Sequence, residues 1–379
     1  MNNPKIALVN IYFVEYKMPL FELLHKNYNI TYLMTRKSEQ HTKSIKGTEN
    51  FKVKHFKPVY FGRIPVAFGI LKELIFSNYD VYIVHDPHTF ESLLTFITAK
   101  LKRKKFLFYS ETWDWPRRKL SKFIDFFVRA MFHFSDAGIV SSKKSVDYCY
   151  KMGYRKNKKI FVSIPPSLDF FDKKIIKQDI NLKILNLKNT TTLLYLNRIV
   201  PYKGLDILLR SLSPIKDVSL IVCGTDDPSK GTRNKNYQNE ISKIIQELNL
   251  KNIHFVGYSE ELKRFYLNTA DIAVFPVTTR DGDGESWGYT PEEAMSAKKP
   301  IIATDAIGCS SEIIKDGENG FVVSHNNVAK LSEAIKKLSS NKKLIKEMGE
   351  NSRKIWESIT WEDNFLGYKK AIEYSFNKI

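Results

Sequence analysis

Residues 285–308 of the chain are ESWGYTPEEAMSAKKPIIATDAIG, a stretch that joins a helix to a strand. Thr290, followed by Pro291 and then Glu293, is the pattern of a capping box with the threonine at the N-cap. The apolar run IIAT comes after a lysine-containing turn and predicts a buried strand. Free backbone N–H groups at a helix start attract anions. The stretch therefore predicts one helix–strand unit of an α/β fold, with an anion site where the helix begins.

The same alternation of short apolar strands and amphipathic helices extends through the chain. Such strands are typical of parallel sheets covered on both faces. The sequence therefore predicts an α/β protein of two doubly wound, Rossmann-like domains that face a central cleft, where ligands of such folds bind. The predicted strands are KIALVNIY, NITYLM, DVYIVH, KFLFYS, AGIVSS and KKIFVSI in the first half, and TTLLYLN, VSLIVCG, NIHFVGY, DIAVFPV, KPIIAT and GFVVS in the second.

A chain of 379 residues is too long for one ordinary core, which also favours two domains. We expect a first domain over 1–170 and a linker over 171–190, where prolines and lysines replace the strand pattern. A second domain is expected over 191–355, and a last helix over 356–379 that packs back on the first domain.

Charge and cysteine content indicate which partners the protein binds and in which cellular compartment it lies. The net charge is +19, and residues 1–165 carry 29 Lys and Arg against 13 Asp and Glu. This excess of positive charge in the first half favours binding to phosphates, to an anionic lipid surface or to nucleic acid. The alternative is a solvated lysine-rich surface without a binding role. Three cysteines without a pairing or metal pattern, and a first segment without a signal-peptide layout, predict a cytoplasmic protein.

Charged residues follow two predicted strands of the second half. Arg198 and Lys203 come just after TTLLYLN, and a planar donor fork beside a mobile ammonium suits two neighbouring phosphates. Two exposed charges in a loop are the alternative. Gly224 and Asp226 follow the next strand, and the glycine predicts a tight turn that a ligand can approach closely. Glu285 lies among acids, so it fits sugar hydroxyls or a developing positive charge better than phosphate.

The second half resembles the nucleotide-sugar domain of the retaining glycosyltransferases of family 4, also called group 1, in the GT-B superfamily. An ordered series of segments over about half of the chain is more specific than any one of them. The resemblance implies a GT-B-like fold for the whole chain. The segments are NRIVPYKG, VCGTDD, HFVGY, LNTADIAVFP, ESWGYTPEEAMSAKKPIIATDAIG and EIIKDGENGFVV.

The resemblance also implies roles for the donor-site residues. Arg198 and Lys203 would bind the donor diphosphate, Glu285 the donor-sugar hydroxyls and Glu293 the ribose. Glu293 has an alternative role as the cap of its own helix. Phosphate and sugar would be held along the segment that contains Ser286, Trp287, Gly288, Tyr289 and Thr290.

The implied reaction is hexosyl transfer with retention, by front-face attack in which the leaving phosphate takes the acceptor proton. UDP-sugar is the favoured donor and GDP-sugar the alternative. The expected acceptor is a cell-envelope or surface glycan, either free or lipid-linked. Fixed cations and a helix start stabilise a leaving diphosphate. No Asp-x-Asp pair follows a predicted strand, and DGDG at 281–284 is assigned to a loop. We therefore expect neither a metal nor a cofactor.

The first half has fewer chemical signals. The loop after its first strand lacks the family's glycines, which leaves a phosphate contact there in doubt. His85 and Glu111 each follow or end a predicted strand and are the candidates to orient the acceptor; polar residues at a domain surface are the alternative.

Residues 117–134 predict a basic, aromatic amphipathic helix that can lie on an anionic membrane. Leu120, Phe123, Ile124, Phe127, Met131 and Phe134 form one stripe, which we expect to pack on the sheet. Phe126 and Phe132 extend the apolar surface beyond that stripe. Peripheral attachment to the inner face of the membrane is therefore an expectation on equal terms with simple packing. The residues assigned to this surface are Arg117, Arg118, Lys119, Lys122, Phe126 and Arg129.

Three other functions compete with sugar transfer. A nucleotide-sugar epimerase on the same scaffold would change the donor without any acceptor. A basic nucleic-acid-binding protein would explain the charge alone, but the sequence has no zinc spacing or RNP-type segment, so we expect no nucleic-acid partner. A non-catalytic protein on this scaffold is the third, because a fold does not guarantee chemistry.

Overall fold

The structure is a computed structural model of the chain. It describes residues 4–36, 49–61, 64–114, 121–176, 190–225, 233–280 and 284–376. These residues form two units, and Pro166 and Ser167 lie on either side of the boundary between them. The first unit ends with a helix that returns from the carboxyl end of the chain, since residues from Ile359 onward belong to it.

The first unit is a seven-stranded parallel sheet with a small antiparallel hairpin. Its elements in chain order are β1 (Lys5–Asn10), α1 (Met18–Asn27), β2 (Asn29–Met34), β3 (Lys52–His55), β4 (Val59–Phe61), β5 (Ile64–Val66), α2 (Ile70–Phe76), β6 (Val81–His85), α3 (Phe90–Leu101), β7 (Lys105–Ser110), α4 (Ser121–Phe134), β8 (Ala137–Val140), α5 (Lys143–Lys151) and β9 (Ile160–Val162). The order across the sheet is β3-β2-β1-β6-β7-β8-β9, and β4 pairs with β5.

The second unit is a six-stranded parallel sheet. Its elements are α6 (Lys173–Ile176), β10 (Thr191–Leu196), α7 (Leu205–Leu212), β11 (Val218–Cys223), α8 (Arg233–Glu247), β12 (Ile253–Gly257), α9 (Glu260–Thr269), β13 (Ile272–Phe275), α10 (Tyr289–Ser296), β14 (Ile301–Thr304), α11 (Ser310–Ile313), β15 (Gly320–Val323), α12 (Val328–Ser339) and α13 (Lys342–Glu357). The order across the sheet is β12-β11-β10-β13-β14-β15. The last helix, α14 (Trp361–Phe376), belongs to the first unit.

The prediction of an α/β protein with two doubly wound parallel sheets is confirmed. All twelve predicted strands are present, and each parallel sheet reverses its strand order once, between β1 and β6 and between β10 and β13. Such reversals are where α/β folds bind ligands, outside the carboxyl ends of the strands. The sequence did not predict β3, because its residues KVKH are mostly exposed and lack an apolar run.

Each face of the first sheet is covered by its own set of helices. On one face, Leu8, Ile83 and Leu107 pack with α1 and with Tyr368 and Ile372 of α14. The neighbouring strand residues point to the other face, because side chains alternate along a strand. There, Phe106 meets Phe96 of α3 at 5.1 Å between ring centroids, and Phe108 stacks on Phe132 of α4 at 4.3 Å. Helices α3 and α4 therefore lie opposite α14.

The burial of α4 corrects the prediction made from its stripe. Phe123 and Phe134 were expected to pack on the sheet, but they are 65% and 52% exposed. Met131 of the stripe is buried as predicted. Val128 and Phe132 are buried with it, so Phe132 does not extend the outer apolar surface. The stripe was misplaced because α4 is apolar around most of its circumference, so periodicity alone could not choose between two apolar faces.

Candidate active site

A cavity of about 440 Å³ lies in the second unit, at the carboxyl ends of β10 and β11. This is the ligand position expected for a doubly wound sheet. Most of the residues around it carry polar side chains. The residues that line it are Leu196, Asn197, Arg198, Lys203, Cys223, Gly224, Thr225, Tyr258, Lys263, Glu285, Tyr289 and Thr290.

Close packing of the two strand ends shapes this cavity. A Cβ atom on Gly224 would lie 1.9 Å from the carbonyl oxygen of Asn197, so only glycine fits beside β10. Gly204, at φ +70°, has the same constraint against the carbonyl oxygen of Pro276 and allows α7 to begin there. The predicted tight turn at Gly224 thus brings two strand ends together. Asp226, its predicted partner in donor binding, lies outside the described residues.

The structure brings Arg198, Lys203 and Glu285 to one cavity. Arg198 is exposed at the end of β10 and donates a hydrogen bond to the Tyr202 hydroxyl. Lys203 is only 7% exposed, and its ammonium forms an ion pair with the Glu285 carboxylate. Glu285 itself is fixed through its backbone, whose carbonyl accepts a hydrogen bond from the Gly308 N–H at 3.1 Å. A cation and a carboxylate from distant segments are therefore held together at the cavity wall.

The predicted capping box at α10 is wrong. The helix begins at Tyr289 with Gly288 as its N-cap at φ +90°, and no side chain caps it. Thr290 lies inside the first turn, and Pro291 occupies a position whose N–H is unpaired in any helix. Glu293 does not take part in such a box and instead accepts a hydrogen bond at Oε1 from the ammonium of Lys263 in α9, at 2.8 Å. The first turn of α10 therefore starts at the cavity, since Tyr289 and Thr290 belong to the cavity wall.

Glu293 is buried at one edge of this site, with 8% of its surface exposed. Burial raises the pKa of its carboxyl group, although the charge and hydrogen bond of Lys263 act in the opposite direction. Its Oε2 atom has no hydrogen-bond partner among the described residues. A buried carboxylate oxygen without a partner is costly unless a ligand supplies one. This geometry is compatible with the predicted ribose contact.

The other residues of the 285–293 segment divide between core and surface. Trp287 is 1% exposed, and its indole N–H donates to Glu292 Oε2 at 3.1 Å, so its side chain belongs to the core. Ser286 is exposed and does not line the cavity. Residues 281–283 of the acidic loop lie outside the described residues.

Several cavity residues were missed by sequence reasoning, among them Asn197, Lys263 and Tyr258. Asn197 is 8% exposed, and its Nδ2 donor has no partner among the described residues. Lys263 and Tyr258 come from α9 and from the end of β12. The signal for Asn197 was its place directly before Arg198 at a strand end. Lys263 had no local signal, because its partner Glu293 is 30 residues away along the chain.

In the first unit, the two predicted acceptor residues have different surroundings. His85 is 6% exposed, and its Nε2 lies 3.0 Å from the Tyr368 hydroxyl. Burial, with a smaller effect of the Lys17 charge, lowers the pKa of His85 to about 3. This geometry favours a neutral, structural histidine that anchors α14, while its acceptor role stays a prediction.

Glu111 is more accessible than His85 and carries a charged partner. Lys17 donates to its Oε1 at 2.6 Å, and the Tyr109 hydroxyl donates to the same atom at 2.9 Å. Lys17 comes from the loop after β1, in which the sequence lacks glycines. The loop therefore contributes an ammonium at the carboxyl ends of the strands, and Glu111 is the better placed of the two acceptor candidates.

Within the described residues, no three or more His, Cys, Asp or Glu side chains are grouped to hold a metal ion. Metal independence itself stays a prediction. Likewise, no helix in that part of the chain is long and apolar enough to cross a membrane. Of the residues assigned to the membrane surface, Arg117, Arg118 and Lys119 lie outside the described residues.

Comparison with known proteins identifies the family. Residues 177–355 match the family described as glycosyl transferases group 1. An uncharacterized glycosyltransferase of Methanocaldococcus jannaschii is 30% identical over 250 residues, which are 64% of this chain and 66% of that protein. The capsular polysaccharide biosynthesis glycosyltransferase CapM of Staphylococcus aureus is 30% identical over 193 residues, 48% of this chain and 47% of its own. The matched stretches thus span about two thirds and about half of these relatives.

A solved structure supports the fold over the whole length. The Anabaena protein HepE in complex with UDP superposes with a TM-score of 0.76 and 16% identity, covering 98% of this chain and 99% of that one. The chain therefore has the GT-B fold, and its residues 177–355 belong to the group 1 glycosyltransferases. This confirms, at the level of the family, the prediction that it is a glycosyltransferase.

Proposed function

We propose that the protein is a retaining glycosyltransferase that moves a sugar from a nucleoside-diphosphate sugar to a glycan or lipid-linked acceptor of the cell envelope. One observation carries the proposal: Arg198, Lys203 and Glu285 meet at one cavity beside the first turn of α10. Cations and helix N–H groups suit a diphosphate, and a carboxylate suits sugar hydroxyls.

UDP-sugar is the favoured donor, with GDP-sugar as the alternative. The UDP complex of HepE supports this choice by analogy of fold. The cell-envelope acceptor is supported by the printed name of CapM, which concerns capsular polysaccharide.

The reaction follows from the charges at the cavity. The bond between the anomeric carbon and the diphosphate oxygen breaks, and a bond from that carbon to the acceptor oxygen forms on the same face. The acceptor proton passes to the leaving phosphate. Negative charge grows on the diphosphate, where Arg198, Lys203 and the start of α10 stabilise it. Positive character grows on the sugar, near the Glu285 carboxylate.

The ion pair of Lys203 and Glu285 gives donor binding a further consequence. A diphosphate competes with Glu285 for the Lys203 ammonium, because it carries more negative charge and more acceptor oxygens. When Lys203 turns to the phosphate, Glu285 is released to accept hydrogen bonds from the sugar. The carboxylate is then available only when a donor is bound, which limits unproductive contacts in the empty enzyme.

The proposal also includes the setting of the reaction. We place the protein in the cytoplasm, because Cys149, Cys223 and Cys309 are buried and form no disulfide, as is typical of proteins in a reducing compartment. We expect the reaction to need no metal, because fixed cations already face the diphosphate. Glu111, with Lys17, is our candidate to orient the acceptor.

Glu285→Gln tests the reaction directly. The variant keeps shape and hydrogen bonding but loses the charge that faces the sugar, so we expect nucleotide release from the preferred nucleotide sugar to fall about a hundredfold. The assay measures UDP or GDP release with membrane extract as acceptor source and EDTA present. Glu318→Gln, in an exposed turn of the same unit, is the matched control and should keep full activity.

The same assay separates the competing functions. NMR of the product reports its anomeric configuration, and retention is the expected result. An inverted product would contradict the retaining mechanism. A changed sugar nucleotide formed without acceptor would replace the transferase with an epimerase. Full activity of Glu285→Gln would remove Glu285 from the site.

A further inference from the structure

Helix α3 is built with its polar side inward. Five of its residues are buried against the first unit, and they are small or polar: Glu91, Ser92, Thr95, Thr98 and Ala99. An ordinary surface helix buries its apolar stripe instead. The outer stripe of α3 is apolar, with Phe90 40%, Ile97 44% and Leu101 80% exposed.

The inner polar face is stable because its groups are satisfied. The Glu91 carboxylate accepts a hydrogen bond from the Ala67 N–H at 2.7 Å. The Thr95 and Thr98 hydroxyls donate to carbonyl oxygens of the same helix, at 2.7 and 2.9 Å. Buried polar groups with partners cost little. Packing therefore explains the inside of α3, but it gives no reason for the apolar outside.

The helices on either side of α3 continue its apolar surface. Helix α3 packs against both α2 and α4. Exposed apolar residues occur singly on most proteins, but eight on three touching helices mark an interaction surface. The α2–α3–α4 face is defined by the exposed residues Ile75, Phe76, Phe90, Ile97, Leu101, Phe123, Phe126 and Phe134.

The charges around this face have one sign. Lys72, Lys122 and Arg129 are exposed on α2 and α4. The carboxylates of the three helices are turned away: Glu73 pairs with Lys54, and Glu91 is buried. Asp125 is half-buried, so none of the acids on α2–α4 belongs to an exposed residue.

We propose that the α2–α3–α4 face docks the protein on an anionic lipid bilayer, with its aromatic and aliphatic side chains in the interface and its lysines at the headgroups. Charge complementarity decides for this occupant: a basic border around an aromatic surface fits anionic lipid headgroups over acyl chains. The +16 charge of residues 1–165 acts in the same direction. A second copy of the chain would bring the same positive border against itself, which repels.

Vesicle co-sedimentation tests the surface without any donor or acceptor, so its failure is separate from failure of the proposed transferase. The full chain is mixed with vesicles of phosphatidylglycerol and phosphatidylcholine, or of phosphatidylcholine alone. We expect binding to the anionic vesicles that weakens at high salt. Ile97→Ser with Leu101→Ser should weaken that binding about tenfold, because both side chains are exposed and enter the interface.

Two further variants separate the parts of the surface. Lys72→Gln with Lys122→Gln should weaken binding about tenfold and reduce its salt dependence. Phe376→Ser is the matched control, since this residue is 39% exposed on α14, on the opposite side of the sheet, and should bind like wild type. Circular dichroism confirms that each variant is folded.

Three results would overturn the proposal. The first is wild-type protein that binds neither kind of vesicle. The second is wild-type affinity in the Ile97→Ser, Leu101→Ser variant. The third is a dimer in sedimentation velocity that this variant dissociates while vesicle binding is absent, since the face would then join two copies.

Discussion

At the scale of single residues, the site depends on pairs that are distant along the chain. Lys203 meets Glu285, and Lys263 meets Glu293. The sequence predicted Lys203, Glu285 and Glu293 as site residues from their local segments and from family resemblance. It did not pair Lys203 with Glu285 or point to Lys263, because a side-chain contact across 82 or 30 positions depends on the packing of whole helices.

Asn197 gives a prediction that separates binding from folding. Its Nδ2 donor is buried at the cavity without a partner in the described part of the chain. An unsatisfied buried donor costs stability in the empty protein and is available to a ligand oxygen. We expect Asn197→Ala to keep the melting temperature of the empty protein and to weaken UDP binding about tenfold, measured by titration calorimetry. A variant that melts much earlier but binds UDP normally would make Asn197 a structural residue.

At the scale of helices and strands, the twelve predicted strands are correct because short apolar runs rich in β-branched residues are typical of buried strands. Errors occurred where tertiary contacts decide between local choices. The N-cap of α10 is Gly288 and not Thr290, since the helix starts from a residue at φ +90°, a conformation that glycine adopts without strain. The prediction of which face of α4 is exposed was wrong, because apolar residues cover most of the circumference of that helix. The sequence did not predict that α3 buries its polar side, since the spacing of apolar residues along a helix is the same whichever side is buried.

Gly288 joins the start of α10 to the site. It has φ +90°, and a Cβ atom there would lie 2.8 Å from Ile307 Cγ2 and 3.2 Å from Glu285 Cγ. Gly288→Ala should therefore cost about 1 kcal/mol of backbone strain and also displace Glu285, with at least a tenfold loss of transfer. Gly317→Ala is the control, because Gly317 has φ +78° and no atom within 4 Å of the added Cβ. Equal activity in the two variants would contradict the crowding argument.

His85 makes the docking of α14 dependent on pH. Its folded-state pKa of about 3 is below the ordinary value of 6.5, so the folded protein stays neutral where the unfolded chain gains a proton. The stability contributed by this group is complete above pH 6.5 and is lost as the pH falls toward 3. Between pH 7 and pH 5, wild type should lose about 2 kcal/mol relative to His85→Gln.

Urea unfolding of both proteins at several pH values measures that difference. At pH 8 both states of His85 are neutral, so the difference between the two proteins there is the reference. If the two stability profiles run parallel from pH 8 to pH 5, then His85 is accessible to protons in the folded state. Its acceptor role would then regain support over its structural one.

At the scale of the whole molecule, charge and burial assign different tasks to the two units. The donor cavity lies in the second unit, which carries little of the net charge. The first unit holds the acceptor candidate Glu111, the basic excess and the α2–α3–α4 face. From the sequence, the +16 charge of residues 1–165 was the reason to expect an anionic partner for this half, and that expectation stays a prediction. The sequence could not predict that apolar residues of α2 and α3 are exposed on that face, because exposure is a property of the folded unit.

The central claim is that the cavity of the second unit binds a nucleoside diphosphate through Arg198. Thermal unfolding against UDP, GDP and ADP with EDTA present tests it most directly, because a ligand bound only by the folded state raises the midpoint. We predict a shift that is largest for one base, UDP first, lost in Arg198→Ala and kept in Arg210→Ala, which removes an exposed arginine of α7. No shift with any nucleotide, or an equal shift in Arg198→Ala, would contradict the account.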